Sequence, residues 1–314
     1  MTVLAAGALE PRGPVAETIA DLWWFMFALG LAVFVVFAAL LGASLIRRRH
    51  EEDPSTGERA PDAPSRWLIW GGVVLPLVVV TAVFGATVVA MRDTPTTAPS
   101  EALVVEVVGH QWWWEVRYPE EGVTTANVVH VPVGRPVAFR LSSADVIHSF
   151  WVPSLGGKMD ALPDGTNTLV LQADEAGEHR GACAEFCGLQ HARMDLLVVA
   201  EPAEGFAAWV AGQRELAAEA TGALAERGRE LFGDARCASC HVIRGLTEVG
   251  VEGPDLTHLA SRPTIGAGAA GNTAMELAEW IADPHTVKEG VKMPATDLDE
   301  EDRAALLAYL EGLE

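Results

Sequence analysis

The chain has 314 residues, and it carries 22 Lys and Arg against 43 Asp and Glu, for a formal net charge of −21. That length suggests two or three domains, and so acidic a chain does not bind nucleic acid through a basic patch. Its four cysteines form two close pairs, Cys183/Cys187 and Cys237/Cys240, each followed closely by a histidine, a pattern of cofactor sites and not of a short, disulfide-dense secreted scaffold.

Residues 1–20 lack the basic start and long apolar middle of a signal peptide. Two stretches, Leu22–Ile46 and Trp67–Met91, then run without a charged residue. Each exceeds the roughly 20 apolar residues needed to cross a bilayer core. They predict two transmembrane helices, about 22–46 and 67–91, within an N-terminal segment 1–92. Arg47, Arg48, Arg49 and Arg66 flank the loop between them. Basic flanks mark the cytoplasmic side, so the loop is expected inside and both termini outside. Trp23, Trp24 and Trp67 stand at span ends, as interfacial anchors do. Pro76 removes one hydrogen bond from the second span, which packing or a kink must offset.

From 93 to 201 the pattern turns to short Val-rich runs: Ala102–Val108, Asn127–Val133, Val137–Leu141, Thr168–Leu171 and Leu196–Val199, with turn signals between them. Many short strands so spaced predict a β-sandwich or barrel. An Ala-rich helix, Phe206–Glu219, is expected within a linker spanning 202–222. Residues 223–314 predict a small all-α domain with helices at Glu226–Phe232, Ala274–Ala282 and Glu300–Leu310.

Cys183, Cys187, His191 and Met194 place two thiols, an imidazole and a thioether on one short segment. These soft donors suit copper and exclude calcium or magnesium, and zinc would not need the Met. Cys, His and Met on one loop, with a His from an earlier loop, is the pattern of cupredoxin copper sites. A second Cys can bridge two metals, which argues for a dinuclear centre. The bland alternative is a Cys183–Cys187 disulfide.

The string Cys183-x-Glu185-x-Cys187-Gly188-x-x-His191-x-x-Met194 resembles the dinuclear copper (CuA) loop of subunit II of the haem–copper cytochrome c oxidases. Asp145 to Pro153 resembles the family's segment carrying a remote His ligand, and Gly109 to Trp114 its aromatic stretch. The resemblance runs from the first span to about Glu201. It implies a cupredoxin-like fold in which Cys183 and Cys187 bridge two copper ions. His148 and Met194 complete one copper; His191 and the Glu185 carbonyl complete the other. It also implies that the Glu185 side chain reaches toward a magnesium at the interface with subunit I, and that electrons reach the copper pair through Trp112. A barrel-core aromatic is the alternative for Trp112. Two departures stand out. Trp67 occupies the place of a Glu that in the family serves a proton path, and Asp164 separates Pro163 from Gly165 where the family joins them.

Cys237-Ala238-Ser239-Cys240-His241 reads as a c-type haem attachment motif, with His241 as proximal iron ligand. Residues of about 224–312 resemble class I cytochromes c. Met293, before Pro294 and the last helix, is the expected sixth ligand. Its rivals are Met275, which reads as core, and His258 and His285. The resemblance also implies that the Pro254 carbonyl accepts a hydrogen bond from His241.

Residues 93–201 hold 6 basic against 15 acidic residues, and residues 222–314 hold 8 against 17. Like-charged domains do not dock through bulk charge, so the tether is expected to bring them together. These readings imply subunit II of a caa-type cytochrome c oxidase, with copper and haem domains on the outer face of the cell membrane. A cytochrome c or a cytochrome bc-type complex would donate electrons. Subunit I would take them for oxygen reduction and proton translocation, alongside the remaining oxidase subunits. The alternatives are the copper-containing subunit of a nitric oxide reductase and a copper-delivery or assembly protein; the latter needs a labile, exposed metal site and no haem.

Overall fold

A computed structural model describes residues 9–50, 66–234, 237–247, 250 and 252–314. The loop expected inside and the side chain of Trp67 lie outside the described residues.

Helix α1 (Pro14–His50) contains the first apolar run. The second begins as α2 (Arg66–Ile69), widens into a π-helical turn over Trp70–Val74, and continues as α3 (Leu75–Asp93). The π turn sits immediately before Pro76, whose ring clashes with the carbonyl four residues back and which has no N–H to give. Widening the helix there accommodates the proline without ending the span. Thr81, Thr87 and Thr94 donate their hydroxyls to carbonyls one turn back, so these polar groups need no outside partner in an apolar surround. Both helices are long and apolar enough to cross a membrane, and their apolar windows face outward throughout.

Residues 95–314 form one compact unit together with the start of α1. Its first part is a sandwich of two five-stranded sheets, ordered β3-β2-β1-β5-β8 and β4-β10-β9-β6-β7. The strands are β1 (Leu103–His110), β2 (Trp113–Tyr118), β3 (Val123–Ala126), β4 (Val128–Pro132), β5 (Val137–Ser143), β6 (His148–Trp151), β7 (Met159–Ala161), β8 (Asn167–Leu171), β9 (Gly177–Cys183) and β10 (Asp195–Glu201). Alternation along β1 sends Leu103, Val105 and Val107 inward, where they meet Trp114, Phe139, Phe150 and Val198 between the sheets. The Val-rich runs mark β1, β4, β5, β8 and β10. Strands β2, β3, β6, β7 and β9 carry no such run: β2, β6 and β9 are rich in Trp, His, Gly or Cys, and β3 and β7 are only four and three residues long.

Helix α4 (Ala203–Gln213) lays Phe206 and Val210 on the sandwich and stacks Trp209 on His130. It stops six residues short of the expected end at Glu219. Arg214 instead binds the Glu121 carbonyl and carboxylate, and the Gln213 carbonyl is taken by Arg244. Tertiary bonds thus override the helical propensity of the Ala-rich run.

The second part holds α5 (Ala223–Asp234), α6 (Cys237–Cys240), a hairpin of β11 (Thr264–Ile265) and β12 (Ala270–Gly271), α7 (Ala274–Ala282), α8 (Pro284–Val287) and α9 (Glu300–Leu310). Helices α5 and α9 cross at Gly228, where an added Cβ would fall 2.0 Å from the Ala305 carbonyl oxygen. Only glycine permits so close a crossing. Phe232, Leu306, Tyr309 and Leu310 fill the core beside it. Met275 is a correction: it is 77% exposed on the first turn of α7, whose apolar face is carried by Leu277 and Ile281.

Candidate metal centres

The antiparallel pair β9–β10, with Ala182 opposite Asp195, makes residues 183–194 a long hairpin loop. Its mouth is closed by the hydrogen bond from Cys183 N to the Met194 carbonyl, 2.9 Å. A 3-10 turn over His191–Arg193 brings His191 back over the loop. Strand β6 starts at His148 and pairs Phe150 with Cys183, which places the earlier histidine beside the loop.

The donors converge. Cys183 Sγ lies 3.8 Å from Cys187 Sγ, 3.9 Å from His148 Nδ1 and 3.2 Å from the Glu185 carbonyl oxygen. Cys187 Sγ lies 3.7 Å from His191 Nδ1 and 3.9 Å from Met194 Sδ. Two donors that each sit about 2.1–2.3 Å from a shared ion at a tetrahedral angle are roughly 3.6 Å apart, so the set fits metal. His148, Cys183, Cys187 and Met194 are buried, and both cysteines are free thiols. The hydrogen bond from Cys187 holds the Cys183 thiol far below its ordinary range, at about 3, and the same bond pushes Cys187 up. Two thiols held against each other in a buried set of soft donors fit copper.

Several neighbours escaped the sequence reading. Asp145 accepts from His148 Nε2 at 2.9 Å and from the main-chain N–H groups of Gln111 and Val146. It fixes the ring so that Nδ1 faces the thiols, and these bonds hold its own carboxyl below the usual range against the effect of burial. Its one signal in the sequence is its place three residues before His148. Gly109 lets β1 pass under the same ring, since a Cβ there would be 2.7 Å from His148 Cδ2. Asp145→Asn is expected to weaken copper binding by about 10–100-fold while leaving the fold intact; competition titration against a copper chelator measures it.

Trp112 is half-buried and donates its indole N–H to the Cys187 carbonyl, 3.0 Å, beside Gln111 Nε2 at 2.8 Å on the same oxygen. The fully buried aromatic of this stretch is Trp114. The Glu185 side chain is exposed, with Lys158 Nζ at 3.7 Å.

In the second part, α6 presents Cys237 and Cys240, and His241 follows. Its Nδ1 meets the Pro254 carbonyl at 2.8 Å, leaving Nε2 as the ring nitrogen for iron. Gly253 lies on this imidazole, where a Cβ would be 2.5 Å from Cε1. Arg262 is buried and its Nε has no partner among the described residues, as suits a site that receives an anionic group such as a haem carboxylate. Both ring nitrogens of His258 are engaged, Nδ1 donating to the Glu314 carbonyl and Nε2 accepting from Arg244, so it is not available to iron. His285 is exposed and accepts from Gly290 N. Met293 stands half-buried on the irregular segment between α8 and α9.

Residues 121–201 match the family described as cytochrome c oxidase subunit II, periplasmic domain, and residues 225–314 match cytochrome c. The chain is 37% identical to a cytochrome c oxidase subunit 2 of Alkalihalophilus pseudofirmus, over 98% of this chain and 90% of that protein. It is 35% identical to the Bacillus subtilis cytochrome c oxidase subunit 2, over 77% and 70% respectively. Among solved structures, the periplasmic domain of subunit II of cytochrome oxidase of Bradyrhizobium japonicum aligns with a TM-score of 0.37 at 29% identity, over 38% of this chain and 97% of that one. With two apolar helices, a β-sandwich bearing a soft-donor loop, and a helical Cys-x-x-Cys-His domain, the chain belongs to the cytochrome c oxidase subunit II family and carries a fused cytochrome c domain.

Proposed function

We propose that this chain is subunit II of a caa-type cytochrome c oxidase, receiving electrons at its haem domain and passing them through its copper domain to subunit I. The observation that carries this reading is the convergence of buried His148, Cys183, Cys187 and Met194 with half-buried His191, and the Trp112 indole on the Cys187 carbonyl. When bound, two coppers and one covalent haem c supply one-electron redox chemistry.

The residues have distinct tasks. Cys183, Cys187, His148, Met194, His191 and the Glu185 carbonyl would together hold the coppers, with the two thiolates shared between them and the remaining donors divided as His148 with Met194 and His191 with the Glu185 carbonyl. Cys237 and Cys240 would attach the haem, and His241 and Met293 would ligate its iron. Asp145 and the Pro254 carbonyl orient the two histidines. Trp112 is the point at which electrons reach the copper domain. The Glu185 carboxylate, turned outward, faces subunit I and a magnesium there. Exposed Val146, Ile147 and Phe186 surround the same loop, an apolar rim suited to docking on subunit I. The two helices anchor the chain in the bilayer with both redox domains outside, where a cytochrome c or cytochrome bc-type complex donates electrons. Proton translocation and oxygen reduction belong to subunit I.

Metal analysis with a visible spectrum of the purified protein tests this: two coppers per iron and a c-type haem are expected, and one copper or no covalent haem would refute it. Oxygen uptake by the purified complex, without nitric oxide reduction, separates the oxidase from its nearest rival. Met194→Leu should perturb the copper spectrum and spare the haem. Met293→Ala should do the reverse and lower the haem potential by on the order of 0.1–0.3 V, a part of the roughly 0.8 V that axial ligands span; redox titration reads it.

A further inference from the structure

Lys288 follows α8, five residues before Met293, and is 1% exposed. An ammonium has three N–H donors and no acceptor. All three are matched by main-chain carbonyls: Trp112 at 2.8 Å, Arg193 at 2.6 Å and Gly266 at 2.7 Å. Two of these oxygens belong to the copper domain, one from the β1–β2 turn bearing Trp112 and one from the copper loop between His191 and Met194. The third belongs to the haem domain's own β11–β12 turn. A lysine so placed touches both ends of the expected electron path in the copper domain at once.

Other contacts converge on the same place. The turn of Gly266, Ala267 and Gly268 has positive φ at all three residues, and the Ala267 carbonyl accepts from Asp195 N at 3.1 Å. Gly268 lies so close to Asp195 that an added Cβ would be 3.0 Å from its Cβ. Gln190 Nε2 donates to the Glu289 carbonyl at 2.7 Å, and Arg193 donates to the Val287 carbonyl. Gly290 faces Leu189 and the Trp112 ring. Each is a single matched contact, so two domains of like net charge meet without bulk charge attraction. Buried contacts of this kind are screened little by salt.

From this geometry we infer that Lys288 is an internal latch that docks the haem domain on the copper domain, and that electrons pass within the chain from this docked arrangement and not by tethered diffusion. The inference rests on the functional reading of the two sites given above. Lys288 is a positioning residue: it holds Trp112 and the copper loop against the segment leading to Met293. Removing its ammonium leaves three carbonyls without their donor and shifts the equilibrium toward undocked domains.

The test uses the full-length protein and its Lys288→Met variant, with two readouts. Amide hydrogen exchange at Asp195 reports docking whatever the sites contain, because its N–H bonds across the interface. In the wild type it is expected to be protected, and in the variant to exchange about 10–100-fold faster, as the loss of charged hydrogen bonds implies. Flash-initiated haem-to-copper transfer should be flat with ionic strength in the wild type. In the variant it should be slower by about tenfold or more, with unchanged haem and copper spectra. A variant with wild-type protection and rate overturns the latch. So does a wild-type Asp195 amide that exchanges like an exposed loop, a result that needs no variant to fold. Absence of haem or copper from the protein would instead overturn the functional reading while the exchange result still judges the latch.

Discussion

Cys187→Ser is expected to abolish the dinuclear copper centre, with a loss of copper affinity beyond about 100-fold. Loss of a group that merely orients a ligand costs about 10–100-fold, and Cys187 is placed to do more than that. Its sulfur is the donor nearest to His191, 3.7 Å, and Met194, 3.9 Å, while also touching Cys183 at 3.8 Å. Like Cys183, which reaches His148 and the Glu185 carbonyl, it spans both halves of the donor set. Serine offers a hard oxygen, which does not replace a thiolate for copper. The carbonyl of residue 187 keeps Trp112 and Gln111 in place, so the sandwich should fold as before. Copper content should fall to at most one per haem, and the visible bands of the copper pair should vanish while the haem spectrum persists. A variant that keeps two coppers would remove Cys187 from its bridging role.

Trp114→Ala is expected to cost about 3–5 kcal/mol of stability, the range for deleting a large buried aromatic. That is a large share of the roughly 5–15 kcal/mol that typical domains possess. Trp114 is fully buried and sits opposite Gly109 in the β1–β2 register. It meets His148 edge-on at 5.8 Å and Phe150 at 5.9 Å. The cavity therefore opens directly beneath a proposed copper ligand. Urea denaturation of the copper-free protein reads the loss of stability, and copper titration of the same variant should show weakened binding as well. Intact stability would mean that the core collapses around the gap.

Both candidate sites could be read from the sequence because each is local. Cys183 to Met194 and Cys237 to His241 are short strings whose residue types and spacing state their donors outright. The helices at 274–282 and 300–310 were equally plain, being amphipathic and uninterrupted. What escaped was set by residues distant in sequence. Strand β9 reads as Gly-Glu-His-Arg-Gly-Ala-Cys and has no apolar alternation; it is a strand because β6 and β10 flank it. Helix α4 ends early because Arg214 and Gln213 find partners elsewhere, a competition that local propensity does not register. Met275 carries an apolar side chain that helical spacing alone would assign to the core, yet it is exposed, because Leu277 and Ile281 set the buried face of α7. Lys288 gave no signal at all: a lysine in an acidic surface segment is ordinarily solvated, and only three carbonyls from separate segments bury it.

Gly109 and Gly253 share a consequence. Each lays bare main chain against an imidazole, His148 in one domain and His241 in the other. Main chain has no rotamers to change, so a ring resting on it has a neighbour that cannot rearrange when the charge beside it alters by one unit. Electron transfer is slowed by every nucleus that must shift to suit the new charge. On the proposed electron path, two glycines would thus hold that relaxation small at both ends, by offering each histidine a seat that does not move.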